Sequence, residues 1–216
     1  MPKKIKICFI VVSILFIFIF FMSFAYKIHQ TGNNINKSSY DFVESILNMS
    51  SYEAKLQITV ESNKTTNQYF LEQYYVAPND SKQIVKEPAS IANLETIYDG
   101  TNLIIKNTSL GLNKIYANYD YLNENILWLS SFIQDYKSKG SMEKNGQEII
   151  LSTNDNLHHY HKKLYINHQT GLPIKLVIQD NSKQTKIYIE YKEIKLNSIQ
   201  ENNIFAFQTE DIKKEV

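Results

Sequence analysis

The chain has 216 residues and a formal charge of +1, enough length for one domain with a sizeable core. Lys3, Lys4 and Lys6 precede the first acid, Asp41, so the remainder carries 20 Lys against 22 Asp and Glu, and that balance gives no electrostatic basis for binding nucleic acid. Arginine is absent, and the single cysteine, Cys8, excludes an internal disulfide or a cysteine-based metal site.

Behind the three lysines runs an uncharged apolar stretch from Ile7 to Ala25. As a helix it would span roughly 30 Å, the thickness of a bilayer core. The lysines before it and the long polar chain after it put the N-terminus in the cytoplasm and everything beyond Tyr26 outside. Two readings stay open: an uncleaved anchor, or a signal peptide cut after Ser23-Phe24-Ala25, which has the small-x-small pattern of a cleavage site. Cys8 opens the run instead of closing it, so it does not occupy the usual lipidation position. The expected organisation is residues 1–26 as signal anchor or signal peptide, 27–37 as a polar linker, 38–210 as an extracytoplasmic domain and 211–216 as a charged tail.

Ser38 or Ser39 is placed to cap a short helix in which Tyr40, Val43, Ile46, Leu47 and Met49 recur at helical spacing. The next segment alternates: Tyr52, Ala54, Leu56, Ile58 and Val60 against Glu53, Lys55, Gln57, Thr59 and Glu61, a strand with one buried face. A turn at Asn63–Thr66 leads into an aromatic strand, Gln68–Val76, and a further strand over Lys82–Lys86 stops at Pro88. Leu94–Tyr98 and Thr101–Lys106 flank Asp99-Gly100, a dipeptide suited to positive φ at both central positions of a two-residue hairpin. Leu122, Ile126, Leu129, Phe132, Ile133 and Tyr136 then recur every three or four residues with Gly140 behind them, which predicts the main helix and its C-cap. Asn145-Gly146 turns into Gln147–Ser152. Lys162–Ile194 reads as a three-stranded meander with turns at His168–Gly171 and Asn181–Gln184, and Ile204–Phe207 as a last short strand. The order predicts an α+β fold: a curved antiparallel sheet of eight to ten strands, an incomplete barrel, with helices packed on its concave face and one transmembrane or signal helix ahead of it.

The chemistry-bearing residues are sparse. The few glycines fall at turns, leaving none grouped into a phosphate loop, and neither a Gly-x-Ser-x-Gly elbow nor His-Glu-x-x-His occurs. His159 and His161 of the His158-His159-Tyr160-His161 cluster would lie on one side of a strand, the start of a two-ligand zinc site with His168 or a carboxylate as third ligand. The simpler reading is solvent-facing residues entering an edge strand on the same polar face as Lys163, and no cofactor or metal is expected. Fifteen tyrosines and eleven phenylalanines fit the space between a curved sheet and its helices. Those on Gln68–Val76, Tyr69, Phe70, Tyr74 and Tyr75, fall on both faces of one strand, so Tyr69, Tyr74 and Tyr75 are candidates for a partner surface.

Taken together, Tyr52-Glu53-Ala54, Glu72-Gln73-Tyr74-Tyr75-Val76-Ala77-Pro78, Ile97-Tyr98-Asp99-Gly100, Trp128-Leu129, Leu164-Tyr165-Ile166, Thr170-Gly171-Leu172-Pro173-Ile174-Lys175-Leu176 and Asn203–Phe207 resemble, in order and spacing, the LolA/LolB/RseB-like lipoprotein-carrier superfamily. Within it the chain is most similar to the clostridial spore-germination lipoproteins of the GerS type. The resemblance covers about Ser38 to Gln208. It implies a half-barrel whose concave face is lidded by helices. It further implies a non-catalytic role: binding and activating a zinc-dependent N-acetylmuramoyl-L-alanine amidase, so that cortex peptidoglycan acquires muramic-δ-lactam and can be degraded at germination. One departure is clear. The lipidated cysteine of that family is replaced here by Phe24-Ala25-Tyr26: either the apolar helix takes over as anchor, or the chain is a paralogue with another duty.

Two alternatives remain. A lipid or lipoprotein carrier would need an apolar cavity, for which Leu56, Ile58, Val60, Leu164, Ile166, Leu176 and Ile178 are the candidate lining. An envelope-stress sensor would share the same fold. The expected partners are therefore the amidase, the membrane through the N-terminal helix, and possible lipid in the concave face.

Overall fold

The computed structural model describes residues 39–62, 64–119, 125–154 and 160–199. Residues 7–25, the linker, the Ile204–Phe207 strand and the charged tail lie outside these. Among the described residues no helix is long and apolar enough to cross a membrane.

Two helices and one sheet make up the described fold. Helix α1 is Ser39–Leu47. Strands β1 (Ser51–Glu61), β2 (Thr66–Val76), β3 (Asp80–Glu87), β4 (Glu95–Asp99), β5 (Leu103–Asn107) and β6 (Leu112–Tyr116) follow, with 3₁₀ turns at Ala89–Ile91 and Thr108–Leu110. Helix α2 is Leu129–Lys139, and β7 (Gly140–Asn145), β8 (Glu148–Asn154), β9 (His161–Asn167), β10 (Pro173–Gln179) and β11 (Thr185–Leu196) complete the order. The sheet runs β6-β5-β4-β3-β2-β1-β11-β10-β9-β8-β7, antiparallel throughout. Two meanders are thus joined by their long strands β1 and β11, which pair from Tyr52↔Leu196 to Val60↔Ile187. The sheet is curved and open, with β6 and β7 as its edges.

Eleven strands replace the expected eight to ten. The additions are the edges β6 and β7, whose residues are mostly exposed and so carry no alternation to read. The main helix starts at Leu129; Ile126 precedes it and Leu122 lies outside the described residues. Gly140 does not adopt the left-handed cap expected of it. Its φ is −107°, it opens β7, and a Cβ there would collide with the Tyr136 ring, so close packing of the aromatic is what requires glycine. Tyr40 is 71% exposed, leaving Val43, Ile46 and Met49 as the buried stripe beside α1. The Asp99-Gly100 hairpin is displaced by one residue: Asp99 N–H donates to Asn102 O at 3.3 Å, so Gly100 and Thr101 form the loop and Gly100 alone has positive φ, +86°. Asp99 stays in the strand, where its Oδ1 accepts from Thr101 and Asn102 N–H at 2.9 and 2.6 Å.

The core lies between one face of the sheet and α2 with its approach. Trp128, Leu129 and Phe132 are fully buried against Leu151, Leu164, Ile166, Leu176 and Ile189 in one contiguous cluster. Burial of these side chains is the main stabilising term, about 1.5–3 kcal/mol each.

Candidate functional site

The register fixes which side chains share a face. Along β1, Tyr52, Ala54, Leu56 and Ile58 point inward; opposite them on β2 stand Tyr75, Gln73, Leu71 and Tyr69. Tyr69 and Tyr75 are therefore on the core face, and of the three tyrosines expected on a partner surface only Tyr74 lies on the outer face. Tyr75 is 7% exposed, its ring 5.6 Å from that of Tyr52 and its hydroxyl donating to Pro78 O at 2.8 Å. Burial, and secondarily the charge of Asp80, pushes its pKa up.

The seven apolar positions offered as a cavity lining come together on the inner face. Leu56, Ile58, Leu164, Ile166, Leu176 and Ile178 are each at most 2% exposed and belong to the same packed cluster as Trp128, Leu129 and Phe132, while Val60 is half-buried at its margin. The inner face is chemically divided. Strands β8 to β11 contribute mainly aliphatic side chains, with Thr153 and Lys162 as buried polar exceptions, whereas β2 and β3 carry a buried polar chain: the Tyr52 hydroxyl donates to Gln73 Oε1 at 3.1 Å, and Gln73 Nε2 donates to Gln83 Oε1 at 2.9 Å.

Tyr191 follows Ile187 and Ile189 onto the inner face, and an irregularity brings Ile194 there as well. The β1–β11 register slips between Lys55 and Leu56, which pair with Glu193 and Tyr191, so Lys192 is an extra residue and both Tyr191 and Ile194 face inward. The Tyr191 hydroxyl is buried without a hydrogen-bond partner among the described residues, and burial drives its pKa far up.

On the outer face, the side chains around the same irregularity form a shallow groove of about 130 Å³ lined by Glu53, Lys55, Glu72, Tyr74, Glu193 and Lys195. Lys55 Nζ pairs with Glu193 Oε2 at 2.9 Å and Lys195 Nζ with Glu53 Oε1 at 2.7 Å. Burial raises the Tyr74 pKa, helped by the charge and hydrogen bond of Glu72 and by Glu53. With Glu72 held by Lys86 just outside it at 2.9 Å and its other charges paired within it, the groove offers a polar, neutralised surface.

The two described histidines, His161 and His168, do not converge. His161 opens β9 with its Nδ1 against Asn154 Oδ1, whereas His168 lies beyond the other end of that strand, about 23 Å along it. His158 and His159 lie outside the described residues, and among the described residues no group of histidines and carboxylates could hold a metal.

Lys162 went unread in the sequence, where it looks like one more strand lysine. Its side chain is 1% exposed, and Nζ reaches Asp135 Oδ2 at 2.7 Å, with Ser131 Oγ at 3.5 Å. Position parity with Leu164 and Ile166 is the signal that places it inward.

A model of the YdcC-like sporulation proteins matches residues 5–205. The chain belongs to this family. The sporulation side of the resemblance agrees with that membership. No curated protein matches the family member described here. Among solved structures it is similar to a conserved protein from Thermus thermophilus, with a TM-score of 0.51 and 11% identity over 79% of this chain and 94% of that one, which shows a shared fold alone. It is also similar to a chain from the complex of the Clostridioides difficile CwlD amidase with the GerS lipoprotein, at 22% identity over 71% of this chain and 91% of that one, TM-score 0.46. A LolA superfamily protein from Nitrosomonas europaea matches at 13% identity over 80% of this chain and 99% of that one, TM-score 0.44.

Proposed function

We propose that this sporulation-family protein is a non-catalytic, membrane-tethered extracytoplasmic protein that binds and activates a cortex peptidoglycan amidase during spore formation. The observation that carries the reading is the packing of the inner face. The residues a carrier would turn toward an acyl chain, Leu56, Ile58, Leu164, Ile166, Leu176 and Ile178, are instead enclosed with Trp128, Leu129 and Phe132 in a single core. A protein so filled acts through its surfaces. The resemblance of its motifs to the germination lipoproteins supplies the class of partner, and the apolar run Ile7–Ala25 supplies the tether in place of a lipid.

The test is reconstitution. Purified full-length protein in detergent is added to the amidase on peptidoglycan, and stem-peptide release is followed by mass spectrometry. The proposal expects release to rise with added protein and to saturate at a fixed stoichiometry. A rate that is unchanged at every ratio would contradict it. Transfer of a labelled lipid by the protein would favour the carrier reading instead.

A further inference from the structure

The two edges of the sheet are not equivalent. At β7, Glu143 and Lys144 alternate in sign and α2 packs alongside, both of which guard an edge against added strands. At β6 the register against β5 sets Leu112, Lys114 and Tyr116 on one face, opposite Asn107, Ile105 and Leu103. Leu110 just before the strand is 58% exposed, Tyr116 46% and Tyr119 37%, so three of the four large apolar side chains exposed among the described residues gather here. The Tyr116 and Tyr119 rings lie 6.2 Å apart, a small aromatic shelf at the end of the strand. Lys114 is exposed between Leu112 and Tyr116, residues 100–119 hold Lys106 and Lys114 but no acid, and among the described residues no ion pair reaches Lys114. The outward backbone groups of β6 face no strand among the described residues.

We propose that β6 is a docking edge that takes one extended, antiparallel segment of a partner protein, with an acidic side chain opposite Lys114 and apolar side chains two residues to either side. The inference rests on the partner-binding reading above and names its surface. Main-chain pairing would supply the attachment, Leu112 and Tyr116 would cover the apolar side chains, and Lys114 would select the charge. A second copy of this chain suits the edge poorly, because a symmetric antiparallel pairing centred on the strand sets Lys114 opposite Lys114, a like-charge contact.

The experiment uses the full-length protein, isotope-labelled in detergent micelles, and two capped heptapeptides of alternating threonine and valine with glutamate or lysine at the centre. The glutamate peptide is expected to shift the amides of residues 112–116 and to bind several-fold tighter than the lysine peptide. Lys114→Glu should reverse that order, Tyr116→Ala should weaken both peptides, and Glu143→Lys on the opposite edge should change neither. Equal binding of the two peptides, or shifts confined to β7, would overturn the proposal, as would dimerisation through β6 seen in sedimentation. Capture of purified amidase by wild type and by Lys114→Glu separates the two ideas. Equal capture leaves the amidase reading intact and removes β6 as its site; a correct peptide preference with no capture keeps the edge and removes the amidase.

Discussion

Lys162 Nζ lies 2.7 Å from Asp135 Oδ2, and this contact ties the middle of α2 to the start of β9. Its two ends differ: Lys162 is 1% exposed at the side chain, whereas Asp135 keeps 25% of its surface in water. Removing the carboxylate with Asp135→Ala takes the closest charged partner from a buried ammonium and is expected to cost about 2 kcal/mol, below the range for a fully broken buried pair because solvent can reach the site and Ser131 Oγ stays at 3.5 Å. Lys162→Met leaves only a hydratable carboxylate and should cost less than half as much. Urea denaturation of both variants checks the asymmetry; equal losses would show that the pair is not the reason Lys162 is buried.

Gly171 is required twice over. Its φ is +70°, and a Cβ there would overlap the Phe42 ring, so the turn before β10 is shaped to receive α1. Gly171→Ala is expected to cost about 2 kcal/mol, of which roughly 1 is the left-handed backbone and the rest the displaced ring. In a Phe42→Ala background only the backbone part should remain, and a double-mutant cycle by thermal denaturation measures the difference.

The Tyr191 hydroxyl is a buried polar atom without a partner among the described residues. Tyr191→Phe removes it without changing the shape of the core, and should raise stability by about 1 kcal/mol. A loss of stability would mean that the hydroxyl is bonded in solution.

Asp80 and Asp99 are cross-strand partners on β3 and β4 and shift in opposite directions. Burial works to raise the Asp99 pKa, but hydrogen bonds from the Asn102 backbone and side chain and from Thr101 outweigh it and hold the carboxyl below its ordinary 3.8. Burial, then the charge of Asp99, holds Asp80 above 3.8. Asp99 therefore contributes stability that is present above pH 3.8 and is lost as pH falls through its lower folded value. Asp80 opposes it: its relative stabilisation is full below pH 3.8 and lost as pH rises through its raised value. Asp99→Ala is expected to cost about 1 kcal/mol at pH 7, discounted for partial exposure, with the difference closing toward pH 2. The same change should bring the Asp80 pKa back toward 3.8, which carboxyl-detected NMR titration reads directly.

Where a strand buries one face completely, its residues announce it. The β1 alternation and the β9–β10–β11 meander were legible for that reason, as was the turn at Gly171. The edges were not, because β6 and β7 bury almost nothing. Residue parity carries Ile187, Ile189 and Tyr191 to one face of β11 but does not reach Ile194, which the extra residue Lys192 turns to the same side. Tyrosine identity misled at β2: Tyr69 and Tyr75 are amphipathic enough to suit either face, and only pairing with Ile58 and Tyr52 assigns them to the core. Lys162 shows the converse, a charged residue whose inward placement depends on an aspartate in a distant helix. The β6 surface was out of reach altogether, since it depends on which strand ends the sheet.

The most direct test of the central claim is affinity purification of the full-length protein from detergent-solubilised sporulating cells, with mass spectrometry of both the bound proteins and the extractable lipid. The account predicts a cell-wall amidase in the eluate and no stoichiometric lipid. Stoichiometric lipid without an amidase would contradict it and make the inner face, from Leu56 to Ile178, the site.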